Sequence, residues 1–386
     1  MRGRREFLRG AVGLGAVIAA DGLLAGCGRR VAVRGMSAPA TGLAEAASLG
    51  AHAAARGLLF GFAVNTRMLA SDARYAQIVR EQATILVAEN AMKFWAMRPS
   101  ENVYKFEEAD ALVAFGDENK IKVRGHNLMW HQMPQWFERG ATAESARRIL
   151  VEHIERVVAR YAGRVHSWDV VNEGIQISDG RADGLRASQW LKLVGDDYIE
   201  LAFRTARAAD PQALLTYNEY GIEAEGAESE QKRQAVLMLL RRLKARNVPV
   251  DALGIQSHIS AGGRAAYGAG LKRMIAEAEG LGLQVFLTEM DMNDSALPRD
   301  VAVRDRETAA VAGRYLDAAL SERAVKAVLM WGVNDPQTWL NGAKYARADH
   351  LPQRPLLFDE QFGAKPAYFA VRDAMDRREL TRRKRA

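Results

Sequence analysis

From about residue 43 onward, short apolar and β-branched runs alternate with longer amphipathic segments. The runs of strand character fall at 58–64, 84–88, 122–129, 165–171, 213–217, 252–257, 283–288 and 325–331. Between them, apolar residues recur at helical spacing over 145–161, 197–209, 230–246, 271–281 and 307–320. Eight strands separated by helices over this much chain predict an α/β fold, a closed parallel TIM (β/α)8 barrel built as one domain over 43–376. A doubly wound sheet alternates in the same way, but it requires a glycine-rich phosphate loop after an early strand, and 43–376 contains none.

Composition agrees: 386 residues, 48% apolar and 26% charged, describe an ordinary globular chain. The net charge of +7 raises the question of a nucleic-acid partner, and its location answers it. Residues 1–26 carry a surplus of two positive charges and residues 377–386 a surplus of five, so 27–376 is neutral and offers no footprint for phosphates. The basic tail 377–386 reads as a solvated end, able at most to hold the protein near anionic surfaces by weak, salt-screened attraction.

The other end reads as an address. Arg4-Arg5-Glu6-Phe7-Leu8 precedes an apolar run, 10–20, too short for the roughly 20 residues that span a bilayer, and it resembles a twin-arginine export signal. Leu24-Ala25-Gly26-Cys27 resembles a lipoprotein box, which makes Cys27 the candidate lipid anchor at the end of a 1–27 signal. The alternative is cleavage nearby with Cys27 discarded or inert. Export to the periplasm is expected, as an anchored lipoprotein or a secreted protein, with 28–42 as a flexible linker. A lone cysteine excludes an intrachain disulfide and a multi-thiolate zinc site.

In a barrel of this kind, chemistry collects just past the C-terminal ends of the strands. Asn172 and Glu173 follow the fourth strand, and Glu289 ends the seventh. Unpaired glutamates closing otherwise apolar strands are hard to explain as packing. Other strand ends add polar companions: Glu89, Asn90 and Lys93, then His126, Trp130 and His131, then Gln256 and His258, with Asp291 beside Glu289. Singly, each has a bland explanation, such as a core histidine or a Glu89–Lys93 ion pair. His126 and His131 are five apart, which matches no standard ligand pair on one helix, so no metal and no cofactor is expected. Trp130, Trp136, Trp331 and Trp339 sit at strand ends or in the loops after them, where flat apolar faces suit stacking on sugar rings.

These residues resemble the signature strand ends of family 10 glycoside hydrolases, the endo-1,4-β-xylanases. The resemblance rests on Trp168 to Glu173, Thr288-Glu289 with Asp291, Arg124-Gly125-His126 with Trp130-His131, Gln256-Ser257-His258, Tyr217-Asn218-Glu219-Tyr220 and Trp331-Gly332-Val333-Asn334-Asp335. Pro355 to Asp359 and Lys365-Pro366-Ala367-Tyr368 match its closing segment, so that the likeness covers about 43–375. It implies a retaining mechanism on xylan or xylo-oligosaccharides by a monomer, with Glu173 as general acid/base and Glu289 as nucleophile. It further implies sugar contacts from Glu89, Asn90 and Lys93, a 2-hydroxyl contact from Asn172, and a wall made by Trp331 and Trp339.

Retention demands two carboxyls with opposite proton occupancy, and so different surroundings. Glu289 is expected to be held ionised by Asn218 or by His258, with Asp291 orienting the histidine, and Glu173 to have its pKa raised by apolar and aromatic neighbours. One departure stands out. The family reads Trp-His-x-Gln-x-Pro after strand three, whereas Trp130-His131-Gln132-Met133-Pro134 is one residue shorter, which predicts a displaced Gln132 and more tolerance of glucosides. A cellulase or mannanase on the same barrel, and less so a noncatalytic carbohydrate-binding lipoprotein, are the alternatives. The first lacks the Glu89, Asn90, Lys93 set, and the second does not need both glutamates.

Overall fold

The apolar runs become strands at nearly their predicted places in the computed structural model, which describes residues 47–262 and 266–379. They are β1 (Leu59–Val64), β2 (Ile85–Ala88), β3 (Lys122–Gly125), β4 (Val165–Asn172), β5 (Leu214–Glu219), β6 (Ala252–Ile255), β7 (His258–Ser260), β8 (Gln284–Asn293) and β9 (Val325–Met330). All pair in parallel in the order β6-β5-β4-β3-β2-β1-β9-β8-β7, and an added β6–β8 pairing closes the ring. The short β7 is not a further stave. It resumes β6 after a break at Gln256 and Ser257 and pairs with the outer half of β8, His258 facing Asp291. Eight staves therefore form the barrel, as eight runs require.

Both faces of these strands are covered, which is why their sequences do not alternate. Inward-facing Ala63, Ile85, Val87, Ala252, Phe286, Ala327 and Leu329 pack into one cluster in the lumen. Outside lie the helices, Ala143–Arg160, Tyr198–Ala209, Ala227–Ala245, Ala269–Gly280 and Val301–Leu320 among them, each overlapping a segment of predicted helical period. Thr142 and Ser145 start the first of these with a capping box, and Asp300 caps the last through the Val303 N–H.

Two strands stop earlier than their apolar runs. After Gly125 the chain leaves the ladder and returns to it at Leu128 and Met129, whose N–H groups donate to the Asp169 and Val170 carbonyls at 3.0 Å. After Ile255 the backbone turns at Ser257, whose φ of 68° lies in the left-handed region that non-glycine residues rarely occupy. Hydropathy cannot register either departure, because the residues beyond it remain buried. At Gly125 a Cβ would lie 2.0 Å from Cε3 of Trp168, so only glycine lets β3 and the β4 indole approach.

Of the expected basic tail, Arg377 and Arg378 belong to the folded body instead. Arg377 closes the helix Pro366–Arg377 and pairs with Asp317 at 2.9 Å, while Arg378 is only 8% exposed. The export signal with Cys27, the linker 28–42 and residues 380–386 lie outside the described residues. Among the described residues, no helix is long and apolar enough to cross a membrane.

The Gly125 contact predicts that Gly125→Ala destabilises the barrel by about 1–3 kcal/mol through overpacking. Gly140→Ala, where no atom lies within 4 Å of the added methyl, serves as the control. Denaturant unfolding of both variants checks this, and equal midpoints would contradict the packing.

Candidate active site

Every strand-end residue singled out from the sequence lies on the C-terminal face of the barrel or in the loops above it. Glu173 follows the last residue of β4 with a left-handed φ of 57°, a strained conformation for a side chain of this size. Its backbone N–H donates to the Asn218 carbonyl at 2.9 Å, which ties the strained residue to β5. Glu289 sits within β8, its N–H donating to the Gln256 carbonyl at 2.8 Å. Both glutamates are thus fixed by backbone bonds to neighbouring staves.

Three amide side chains join the two carboxylates. Asn218 Nδ2 donates to Glu289 Oε1 at 2.7 Å and to Asn172 Oδ1 at 2.8 Å. Gln256 Nε2 reaches the same Asn172 oxygen at 3.2 Å and Glu173 Oε1 at 3.1 Å. Asn172 Nδ2 completes the set with Glu173 Oε1 at 3.3 Å. Carboxyls 116 positions apart in the chain (173 and 289) are therefore separated by a single layer of amides. The orientation of Asn218 depends on an empty space: a Cβ on Gly254 would lie 2.2 Å from Asn218 Oδ1, the atom that accepts from Thr288 Oγ1 at 2.7 Å.

Glu289 is 5% exposed, and burial by itself raises a carboxyl pKa. The positive potential of His126, the hydrogen bond and charge of His258, and Lys93 reverse that effect and hold Glu289 below its ordinary value. His258 Nε2 lies 3.3 Å from Glu289 Oε2, and its Nδ1 lies 3.0 Å from Asp291 Oδ1. Burial disfavours charge on His258, but Asp291 and Glu289 together hold its pKa well above the usual histidine range. Asp291 also accepts from Trp339 Nε1 at 2.7 Å, so the orienting role expected of it is backed by a second fixed partner. On the other side, His126 Nδ1 lies 3.9 Å from Glu289 and 2.9 Å from Asp169 Oδ2, and Asp169 is paired in turn with the buried Arg124.

Around Glu173 the surroundings differ from the expected apolar and aromatic ones. Trp130 and Trp190 do line the small cavity beside it, yet its oxygens face polar groups. Besides Gln256 and Asn172, His131 Nδ1 lies 3.4 Å and Arg186 Nη2 3.8 Å from Oε2. Burial, together with the neighbouring Arg186, lowers the pKa of His131 and favours its neutral form. Arg186 is positioned by donating from Nε to the Glu173 carbonyl at 2.7 Å and from Nη2 to Tyr220 Oη at 3.1 Å.

Glu89, Asn90 and Lys93 form the third group. Among the described residues no ion pair joins Glu89 to Lys93. Lys93 Nζ instead donates to Asn90 Oδ1 at 3.0 Å and stands 5.1 Å from the ring centre of Trp130 and 5.9 Å from that of Trp331. Burial lowers the pKa of Lys93 and raises that of Glu89, each shift opposed by the other's charge. Trp331 packs edge-on against His126 and His258, and Trp339 leans on His258 with ring centres 5.0 Å apart.

One expectation about the tryptophans needs correction. Trp136 is not a platform in this cleft: its Nε1 donates to the Arg98 carbonyl at 3.0 Å, and its ring packs on Phe94 and under the Arg98 guanidinium. Its place in the loop after β3 could not reveal which way the ring turns. Gln132, in the shortened loop, is solvent-exposed. The sequence reading passed over Asp169, Arg186 and Gly254, and only Asp169 carried a signal, as a carboxylate inside an apolar strand. No group of three or more His, Cys, Asp or Glu able to hold a metal occurs among the described residues.

Similarity to known proteins agrees with this geometry. The pattern of Glycosyl hydrolase family 10 matches residues 48–374. Endo-1,4-beta-xylanase C of Paenibacillus barcinonensis is 36% identical over 81% of this chain, although the chain spans only 30% of that protein's length. Endo-1,4-beta-xylanase B of Thermotoga neapolitana is 35% identical over 82% of this chain and 88% of its own length. Among solved structures, xylanase 10B from Thermotoga petrophila RKU-1 in complex with xylobiose superposes with a TM-score of 0.75 at 34% identity, covering 86% of this chain and 98% of that one. With its eight-staved barrel, its paired glutamates and a family pattern running through nearly all of the folded region, the chain belongs to glycosyl hydrolase family 10.

Proposed function

We propose that the protein is a retaining endo-1,4-β-xylanase that cleaves internal links of xylan by double displacement. The observation that carries this reading is the amide layer of Asn172, Asn218 and Gln256 linking Glu173 to Glu289. Relatives of about 35% identity named as xylanases, in a retaining family, support the substrate class.

In this reading Glu289, kept ionised by His258, His126 and Lys93, attacks the anomeric carbon as Glu173 gives its proton to the departing glycosidic oxygen. The glycosyl ester that results removes the negative charge from Glu289, and His258 then retains Asp291 as its partner. Glu173, now unprotonated, takes a proton from the water that releases the sugar. Asn172 is placed for the sugar 2-hydroxyl, where a hydrogen bond strengthens as positive charge develops on the ring. Glu89, Asn90 and Lys93 hold the glycone sugars, and Trp331 and Trp339 wall the cleavage point. The exposed Gln132 supports a site that also admits glucosides. Arg4-Arg5 and Cys27 support export by the twin-arginine route with lipidation at the cysteine, and labelling with radioactive fatty acid is expected to mark the wild type but not Cys27→Ala. An unlabelled wild type would overturn the anchor alone.

Glu289→Ala is expected to lose turnover of xylan, aryl xylobioside and aryl cellobioside alike by more than about a thousandfold, while binding persists. Glu173→Ala should lose far less on aryl xylobiosides with good leaving groups than on xylan, since such substrates need little protonation. Product anomers followed by NMR should show retention. Near-wild-type rates in Glu289→Ala would overturn the nucleophile assignment.

A pH profile tests the electrostatics. Because His258 helps to lower the pKa of Glu289, His258→Gln should raise that pKa. Glu289 must be ionised to attack, so the acidic limb of kcat/KM should move to higher pH in the variant. An unmoved limb would show that His258 does not set the nucleophile's charge.

A further inference from the structure

Four cations gather where the adjacent staves β1 and β9 begin, at the end of the barrel away from Glu173 and Glu289. Arg56 closes the helix Leu49–Ala55 before β1, Arg323 and Lys326 stand on either side of Val325, the first residue of β9, and Arg378 follows the helix Pro366–Arg377. They meet through backbone oxygens. Arg56 Nη1 donates to the Arg378 carbonyl at 3.4 Å, while Arg378 Nη2 and Lys326 Nζ donate to the Arg323 carbonyl at 3.2 and 2.8 Å.

None of the four makes an ion pair among the described residues. Of the nearby carboxylates, Asp317 is engaged by Arg377 and Asp376 by His52, and Glu322 and Glu379 form no ion pair among the described residues. Arg378 is the costliest member of the cluster. It is buried, its Nη1 meets no hydrogen-bond acceptor among the described residues, and burial lowers its pKa with no carboxylate to oppose the shift. A buried guanidinium among like charges is unfavourable, and an anion brought from outside offsets that cost. A cavity of about 490 Å³, lined by Arg323, Arg377 and Arg378, adjoins the cluster. The neutral balance of 27–376 conceals it, because a sum of charges does not record which cations the fold collects.

We propose that this end of the barrel docks onto a bilayer of anionic phospholipid, with Arg56, Arg323, Lys326 and Arg378 meeting the headgroup phosphates. Arg323 is exposed and Arg56 and Lys326 are half-buried, so the charge is spread over a surface. Such a surface suits a layer of headgroups better than one enclosed phosphate. Both ends of the described chain come to the same end of the barrel: the Leu49 N–H donates to Gln82 Oε1, ahead of β2, at 3.0 Å, and His52 pairs at 2.8 Å with Asp376, close to Arg378 in the chain. In sequence, Cys27 precedes the first of these, and Arg382, Arg383, Lys384 and Arg385 follow the second. One acyl chain holds a protein to a membrane only marginally, and a basic patch supplies the second attachment that makes the hold stable. Docked in this way, the barrel turns its two glutamates away from the lipid. Docking rests on the export reading for its membrane and is independent of the xylan chemistry.

Vesicle binding by the full-length Cys27→Ala chain, which carries no acyl group at that position, tests this. Cosedimentation is expected with vesicles of mixed phosphatidylcholine and phosphatidylglycerol, with release as added salt screens the charges, and not with phosphatidylcholine alone. Arg323→Ala and Lys326→Ala should each weaken that binding by about fivefold, the worth of one cation beside an anionic surface, while both keep wild-type turnover of xylohexaose. The vesicles themselves should leave that turnover unchanged. Wild-type binding in both variants would overturn the docking face and, where a chain ending at Glu379 no longer binds, assign the attraction to the tail. Equal binding to neutral vesicles overturns it too. Binding to glucuronate-bearing xylan but not to the anionic vesicles would replace lipid by polysaccharide, and vesicles that suppress xylohexaose turnover would refute the orientation. If the wild type takes up the fatty-acid label and the Cys27→Ala chain ignores anionic vesicles, the docking face alone falls. An unlabelled wild type with vesicle binding intact removes the anchor alone.

Discussion

A carboxylate kept charged inside a protein is the constraint around which this barrel mouth is arranged. Removing an ion such as Glu289 from water costs several kcal/mol unless other charges and donors replace its hydration. Here the replacements come from four different staves: Asn218 on β5, His258 on β7, His126 beyond β3 and Lys93 beyond β2. A hydrogen bond to a charged group contributes about 1.5–3 kcal/mol, so no one of them suffices. The set becomes possible because a closed ring of parallel strands brings many strand ends to one small opening.

Each of those partners needs fixing in turn, and the fixing extends down the lumen. His258 is oriented by Asp291, which Trp339 restrains; His126 is oriented by Asp169, which meets Arg124. The guanidinium of Arg124 is buried, donates to Ser167 at 3.1 Å and stacks 5.3 Å from the Phe286 ring. Polar residues that look misplaced in apolar strands thereby connect the packed interior to the reacting groups. The left-handed Glu173 and Ser257 mark where regular strand geometry yields to the demands of the site.

Much of this was legible in the sequence, for identifiable reasons. The eight staves follow from apolar runs because both of their faces are buried, and the glutamates stand out because charge at the end of such a run has no packing explanation. The pairing of His258 with Asp291 follows from neighbouring strand ends. What escaped was direction and local backbone. Trp136 turns into the core and Trp95 out of it, although both lie just past strand ends, because the few helical residues around each decide which way the ring points. One polar neighbour of Glu173, Arg186, comes from a loop with no hydropathic signature. The folded position of Arg378 was hidden because a run of arginines at a terminus reads as solvated whether or not its first members are.

Gly254 shows how far the site's vulnerability extends beyond its functional groups. It contributes no atom to the chemistry, yet any methyl there would occupy the position of the Asn218 oxygen and turn the amide away from Glu289. A mutation on that strand would leave the fold's hydrophobic interior intact while silencing the nucleophile's chief hydrogen-bond donor. Selection at this position acts on emptiness, so an inactive descendant of the barrel can arise through the exchange of one hydrogen for a methyl group, with every acidic residue still in place.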